Sequence, residues 1–517
     1  MVWDRNRALP SGRFSLLIIL GTVMFLGCWA RCEQLIYHEI QTDANGRIVP
    51  WYSSDPGKAY DHTIRIVWDF WKNMRDCPNG VKYYMQHQVW KLEADDPRGL
   101  GGDQINMALS SWNLLYGYTG DPAVRENMIY MADYWLSHGM SGQAKKWPDL
   151  PYPYNLDLHS GIYDGDMRAG KGFLQPDKAA SFGAELVNLF KMTGQRKYLD
   201  AAVRIADVLA ERVMPGDADN SPWPYRVNAE TGELHKQTKG NKTWIASYTS
   251  NWTGALRLFD ELIAMKLGRV NEYERARDTV VTWVKAYPLK TNKWGPFFED
   301  IPTGDWSDTE TNADTMAMYI LEHPDWDSNW KQVAGNILDW SDKTFADTAW
   351  AKYGVIPIRE QTAYLVPGNS HTSHHASVEL LYCEKTGNLA RKQGAIARLN
   401  WATYMVDIDG KNRYPKDDIW LTDGYGDYVR YYLRAMASFP ELAPSDQNHL
   451  LRTSTTLQNI QYGFGAITYT KFDANSTERL KMGAWDPKQV EGGQMQWNPK
   501  TRVLEIRSNA KTVRIVK

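Results

Sequence analysis

The sequence predicts a mainly α-helical fold: an (α/α)6 toroid of six helical hairpins, followed by a small antiparallel β module. Three observations lead there. First, Leu114 to Leu136, Leu186 to Val213 and Leu380 to Val406 repeat one plan of helix, tight turn and helix, turning at Thr119-Gly120, Thr193-Gly194 and Thr386-Gly387. Second, less regular copies complete the set at Trp252 to Tyr287, Met316 to Phe345 and Tyr428 to Tyr462, the last turning around Pro440 and Pro444. Third, the turns within hairpins are short. The connectors between them are long and rich in Gly, Pro, Asp and aromatic residues: Trp147 to Lys178, Pro222 to Ser250, Trp294 to Asp314 and Arg413 to Asp427. In a closed ring of alternating helices all long connectors emerge at one end, and long loops on a rigid scaffold are where function sits. An open superhelix of helix pairs is the alternative.

The elements follow in order. Arg5, Arg7 and Arg13 precede an apolar run from Phe14 to Gly27, too short for a good spanning helix and suited to a signal peptide. Phe25-Leu26-Gly27-Cys28 resembles a bacterial lipoprotein cleavage box, with ordinary cleavage after Ala30 or Cys32 as the rival. Residues 1–32 are therefore expected to direct export, to the periplasm, to the cell surface on a lipid anchor, or into the medium. Residues 33–100 read as an N-terminal extension with one helix around Thr63 to Asn73, and 101–463 as the toroid. Within it, Leu199, Ala202, Val203, Ala206, Leu209 and Val213 fall on one stripe, as do Val124, Met128, Met131, Ala132 and Trp135. Residues 464–517 switch to short alternating runs, such as Thr501 to Ile506 and Thr512 to Val516, which read as strands.

Composition narrows the function. A net charge of -2 over 517 residues gives no basic excess, so nucleic acid is not an expected partner. The 23 Trp and 29 Tyr against 13 Phe suit either wide helix interfaces or a glycan cleft, where flat rings cover sugar faces. Cys77 and Cys383 lie in different parts of the array and read neither as a disulfide framework nor as a zinc site.

Three connectors carry candidate chemistry. Trp294 to Asp314 is dense in acids, with Glu299 and Asp300 in an aromatic setting and Asp305, Asp308, Glu310 and Asp314 following. Glycoside hydrolysis needs a protonated acid and an ionised partner across the bond, and Glu299 or Asp300 is a source of one. A solvated acidic loop is the plainer reading, and Asp314 is expected only to cap a helix. Asn369, His371, His374 and His375 open the fifth hairpin, and His371 and His375 share a helix face. No HExxH-like acid accompanies them, so no metal or other cofactor is expected. Proton transfer or recognition of a substrate carboxylate suits them, against histidines simply packed at the mouth. Asp423, Tyr425 and Asp427 open the sixth hairpin, with glycines on either side of Tyr425. Asp423 and Asp427 suit caps, partners of Arg430, or catalytic acids. Further polar and aromatic loops carry Tyr154, Asp157 and Arg168, then Trp223 and Arg226, and an Arg among aromatics suits a carboxylated sugar.

The motifs FFEDIP (Phe297 to Pro302), GNSHTSHHAS (Gly368 to Ser377) and DGYGDYVRYYLRAM (Asp423 to Met436), set in the hairpin repeat, resemble the six-hairpin glycosidase superfamily. Within it they look like β-glucuronidase-type enzymes of glycoside hydrolase family 154. The resemblance implies an (α/α)6 catalytic toroid acting on a uronic-acid-containing glycan. The expected function is therefore an exported hydrolase that releases a uronic acid, glucuronic acid first, by carboxylate acid/base catalysis. Glu299 or Asp300 and Asp423 or Asp427 would act as acid and base. His374, His375, Arg226, Trp223, Tyr154, Asp157, Arg168 and Asn369 would hold the sugar. One alternative is a polysaccharide lyase in which His371 or Tyr425 removes the proton beside the uronate carboxylate. Another is a non-catalytic glycan-binding surface lipoprotein.

Overall fold

The Thr-Gly turns form for a local reason. Gly120, Gly194 and Gly387 take the left-handed conformation at φ 68°, 73° and 77°, and their N–H groups donate to the carbonyls of Tyr116, Phe190 and Cys383. The preceding hydroxyls of Thr119, Thr193 and Thr386 donate back to the carbonyls of Leu115, Leu189 and Tyr382 at 2.9, 2.7 and 2.7 Å. Together they satisfy carbonyls that the end of a helix leaves open.

The structure, a computed structural model, describes residues 38–87, 99–157, 159–297, 306–412, 426 and 428–517. The helices that build the toroid are, in chain order, α1 (Pro56–Lys72), α2 (Gly102–Thr119), α3 (Pro122–His138), α4 (Pro176–Thr193), α5 (Arg196–Arg212) and α6 (Thr253–Met265). They continue with α7 (Val270–Ala286), α8 (Glu310–Glu322), α9 (Trp330–Phe345), α10 (Asn369–Thr386), α11 (Lys392–Thr403) and α12 (Val429–Ser438). The even-numbered helices form the inner ring. Each packs on the next, and α12 packs back on α2, so the ring is closed and the open superhelix is ruled out. The inner helices all begin at the long-connector end and finish at the turn end.

The sixth hairpin differs from expectation. Its second helix is absent, because Asn448–Thr453 and Leu457–Tyr462 are β-strands. Pro440 starts only a short 3-10 turn after α12, and the Thr453 to Thr456 segment is poor in helix formers. The outer position beside α12 is taken instead by α1, which packs on α12, α11 and α3. That helix is well specified locally. Asp55 caps it by accepting from the Gly57 N–H at 2.9 Å, Pro56 opens it, and Tyr60, Ile64, Val67, Trp68 and Trp71 form its buried stripe.

The C-terminal strands are β1 (Asn448–Thr453), β2 (Leu457–Tyr462), β3 (Ala466–Lys471), β4 (Asn475–Met482), β5 (Gln489–Glu491), β6 (Gly493–Asn498), β7 (Val503–Asn509) and β8 (Thr512–Val516). They form two antiparallel sheets, in the orders β5-β8-β3-β2 and β6-β7-β4-β1. The facing residues Leu450, Ile460, Ile467, Leu480, Leu504, Ile506, Val513 and Ile515 are buried between them. β1 and β2 pack on α2, and Glu384 near the end of α10 accepts two bonds from Arg452, at 2.8 and 2.7 Å, and one from Arg479 at 2.9 Å. The large aromatic side chains go to interfaces: Trp71, Trp112, Trp135, Trp223, Trp252, Trp283, Trp294 and Trp401 are fully buried.

Candidate functional site

The N-terminal turns of the inner helices converge at the long-connector end. Free N–H groups and the positive ends of helix dipoles gather there, which favours acidic side chains and anionic ligands. Acids do occupy first turns: Asp103 in α2, Asp177 in α4 and Glu310 in α8. Asp103, Lys178, Asn251, Phe297, Thr311, His374 and Arg430 line a cavity of about 90 Å³ between them. That is room for a few waters or one sugar substituent.

Asp103 is the least compensated acid in this cavity. Its side chain is buried, and no side chain of the described residues hydrogen-bonds its carboxylate, which is left to the backbone N–H groups of Asp103 and Gln104 at imperfect geometry. Burial pushes its pKa up, while the ammonium of Lys178 pulls the other way. Lys178 is itself held firmly. Its Nζ donates to the Phe297 carbonyl at 3.0 Å, lies 3.4 Å from Asp177 Oδ2, and sits 3.3 Å from the centre of the Phe297 ring. Asp177 Oδ2 also accepts from Asn251 Nδ2 at 2.8 Å. The Asn106 side chain donates to the Lys178 carbonyl at 2.9 Å. Asp103 and Lys178 were not singled out from the sequence. Their only signal is position, in the first turn of an inner helix after a long connector.

The histidine cluster divides by environment. His371 and His375 do share a face of α10, and it is turned to α8, where Glu310 and Asp314 have the same four-residue spacing. His371 Nδ1 lies 3.2 Å from Glu310 Oε2 and 3.3 Å from Thr311 Oγ1. Its pKa is lowered to about 3 by burial, so the ring is neutral. His375, one turn deeper, places Nδ1 2.5 Å from Asp314 Oδ2 and Nε2 3.2 Å from Asp342 Oδ1. Burial opposes its charge, but Asp314 and Glu379 overcome this and raise its pKa to about 10. His374 is turned to the cavity and stacks on Tyr431 at 4.8 Å. Burial, then Arg430 and Arg434, hold its pKa well below the usual range.

Asp314 is not the cap it is expected to be. Thr309 caps α8, its hydroxyl accepting from the Asn312 N–H at 3.4 Å, while Asp314 is fully buried and also accepts from Ser341 Oγ at 2.7 Å. Among the described residues, two sets of ligand-type atoms lie within 4.8 Å of one another, Glu310 with Asp314 and His375, and Asp342 with His375 and Glu379. In the second set Arg391 and Arg398 already neutralise both acids, and in the first the imidazolium of His375 occupies the cation's place.

The remaining candidates are dispersed. Asn369 is buried at the start of α10, with no hydrogen-bond partner for its Nδ2 among the described residues. Arg226 is buried and bonds Asp166 Oδ2 at 3.0 Å, under the ring of Tyr225. Trp223 is core, its Nε1 donating to the Leu209 carbonyl at 2.9 Å. Asp157 is an exposed acid 3.7 Å from Lys171 Nζ. The Arg168 N–H donates to Asp166 Oδ1 at 2.7 Å, within the loop. Tyr154 is buried beside Gly101, where its hydroxyl lies so close that a Cβ at Gly101 would clash with it. Of the sugar-holding candidates only His374 lines the cavity, and no Trp or Tyr among the described residues does. Glu299, Asp300, Asp423, Tyr425 and Asp427 lie outside the described residues. Phe297, the last described residue before Glu299, lines the cavity, as does Arg430, three residues after Asp427.

No protein-family model matches the chain, and no curated protein matches it in sequence. Solved structures do share its fold. A cellobiose 2-epimerase from Bacillus thermoamylovorans B4167 superposes with a TM-score of 0.53 at 13% identity, over 73% of this chain and 97% of that one. A sugar epimerase from a ruminal bacterium gives 0.53 at 12% identity, over 73% and 97%. A D-mannose isomerase gives 0.52 at 12%, over 76% and 99%. At these identities the likeness establishes the (α/α)6 toroid and leaves the chemistry to the site.

Proposed function

We propose that this chain is an exported carbohydrate-active enzyme, a glycoside hydrolase that releases glucuronic acid from a uronic-acid-containing glycan. The observation that carries the reading is Asp103: a buried carboxyl that no side chain of the described residues hydrogen-bonds, its pKa raised by burial, on the wall of the connector-end cavity. Such a group is suited to donate a proton to a leaving glycosidic oxygen. The second carboxylate would come from Glu299, Asp300, Asp423 or Asp427, because Phe297 and Arg430, near them in sequence, line the cavity. Lys178, Arg430 and the converging helix N-termini make the cavity a favourable place for a uronate carboxylate. Sugar-active neighbours of the same fold support the substrate class, though not the uronic acid. Export and a lipid anchor rest on the basic and apolar leader alone.

A lyase is the second reading, and His374 favours it. A neutral imidazole on the cavity wall can accept a proton; burial, Arg430 and Arg434 oppose the charge it would take on, and Glu310, 2.8 Å behind it, offsets that opposition. Incubation with glucuronic-acid polysaccharides separates the two. Free glucuronic acid without the ultraviolet absorbance of an unsaturated uronate supports the hydrolase. That absorbance supports the lyase. Unchanged glycan that still binds the protein would overturn both.

A further inference from the structure

A groove of about 390 Å³ lies at the turn end, where the last turn of α2 and Arg65 of α1 meet the β module. Among the described residues it shares no wall residue with the connector-end cavity. Asp103 lines one and Tyr118 the other, fifteen residues apart on α2, which is about 22 Å at 1.5 Å per residue. The groove's volume is within the range of small-molecule sites.

Phe464 belongs to its wall and is 96% exposed, more than any other large apolar side chain among the described residues. It sits in the tight turn between β2 and β3, where the Gly463 N–H donates to the Ala466 carbonyl at 2.8 Å. Tyr462 and Trp485 add to the aromatic wall. Flat rings beside open space suit the C–H face of a pyranose. Lys517 Nζ, 5.4 Å from the centre of the Phe464 ring, is a donor beside it. Arg65 is compensated: its Nε donates to Asp61 Oδ2 at 2.8 Å and its Nη2 to Gln447 Oε1 at 2.9 Å. Recognition here therefore rests on ring faces and hydroxyls more than on charge.

His449, also in the wall, is buried, and burial lowers its pKa to about 4, so the ring is neutral. The ring stacks on Tyr118 at 3.8 Å, and its Nδ1 lies 2.9 Å from the Tyr118 carbonyl. A carbonyl only accepts, so Nδ1 carries the proton and Nε2 is an acceptor. Nε2 has no hydrogen-bond partner among the described residues, and a hydroxyl or a water held in the groove can supply one. A protein partner fits less well. A stable interface needs about 800 Å² on each side. Among the described residues of the β module, Met495 is the only other exposed large apolar side chain.

We propose that this groove is a glycan-binding site, in which Phe464 stacks on the apolar face of a pyranose and the polar wall groups meet its hydroxyls. At about 22 Å along α2 from Asp103, the sugar it holds is not the one at the connector end. The site goes beyond the hydrolysis proposed there and does not depend on it.

The test is calorimetric titration of the full chain with cellohexaose, xylohexaose and mannohexaose in separate arms. None carries a uronic acid, so the outcome is independent of glucuronic acid release. Saturable binding in at least one arm is expected, and the tightest arm identifies the sugar. Phe464→Ala should weaken it by about tenfold or more, while Phe464→Trp, which keeps a platform, should retain it. Because the side chain is exposed, both variants should keep the parent's melting temperature. Binding unaffected by Phe464→Ala would place the sugar elsewhere and overturn the proposal. So would no binding in any arm. Self-association that Phe464→Ala abolishes, without glycan binding, would assign the groove to a second copy of the chain and overturn it as well.

Discussion

His374 Nδ1 lies 2.8 Å from Glu310 Oε1, while His371 Nδ1 approaches the other oxygen of the same carboxylate at 3.2 Å. One fully buried acid on α8 therefore lies against two imidazoles on α10, its approach to His374 being close but off hydrogen-bond geometry, and of the two rings only that of His374 lines the cavity. Glu310 is a positioning residue for His374. Glu310→Gln keeps the shape and loses the charge. It should cost about 1–3 kcal/mol of stability, read from urea midpoints. If His374 moves a proton, the same variant should lower kcat and displace its pH profile, whereas a purely structural role would change stability alone.

Two of the histidines, His375 and His371, predict opposite pH responses. His375 has a folded pKa near 10, above its ordinary 6.5. The folded state then holds a proton that the unfolded state gives up, so this stabilisation is complete below pH 6.5 and is lost as pH rises through 10. His371 is the reverse, with a folded pKa lowered to about 3 from 6.5. Its contribution is present above pH 6.5 and fades as pH falls toward 3, because only the unfolded state takes up the proton. The difference in melting temperature between the parent and His375→Gln should therefore shrink from neutral to alkaline pH. The difference for His371→Gln should shrink from neutral to acid pH. A constant difference in both would contradict these environments.

Ring closure gives a third prediction. Trp71 on α1 is buried, with its ring 5.8 Å from that of Trp112 on α2 and 4.7 Å from that of Tyr84. If α1 is the twelfth helix of the toroid rather than an appendage, Trp71→Ala should cost about 3–5 kcal/mol in the global unfolding transition, a typical loss for a buried Trp. Loss of a separate, minor transition instead would mean that α1 folds outside the ring.

What was legible in the sequence follows the range of the interactions. The Thr-Gly turns are local: the same few residues supply the hydroxyl, the left-handed glycine and the capped carbonyl, so the repeat was readable. The pairing of α1 with α12 joins opposite ends of the toroid, and nothing in either segment names the other. His371 and His375 were correctly placed on one helix face. Their different protonation depends on acids from α8, α9 and their own helix, which the spacing does not reveal. Asp103, in Gly101-Gly102-Asp103-Gln104, looks like any acid in a first turn. Only its burial with no side-chain partner among the described residues distinguishes it. The Trp and Tyr abundance suited two uses, and the fully buried tryptophans belong to the helix interfaces.

Asp103 supplies the most direct test of the proposed chemistry, because stability and activity should respond in opposite senses. A buried acid with no side-chain hydrogen bond contributes little to folding, and in its charged form it opposes it. Asp103→Asn keeps the volume and removes the ionisable group, so the melting temperature should hold or rise. The amide cannot donate the proton that an acid supplies to a leaving group, and kcat on a glucuronoside should fall about 10²- to 10⁴-fold. A leaving group that departs without protonation, such as an activated aryl glucuronide, should recover much of that loss if Asp103 is the acid. If both substrates lose rate equally while the fold is intact, Asp103 does not donate to the leaving oxygen. An unchanged kcat on both would remove it from the chemistry altogether.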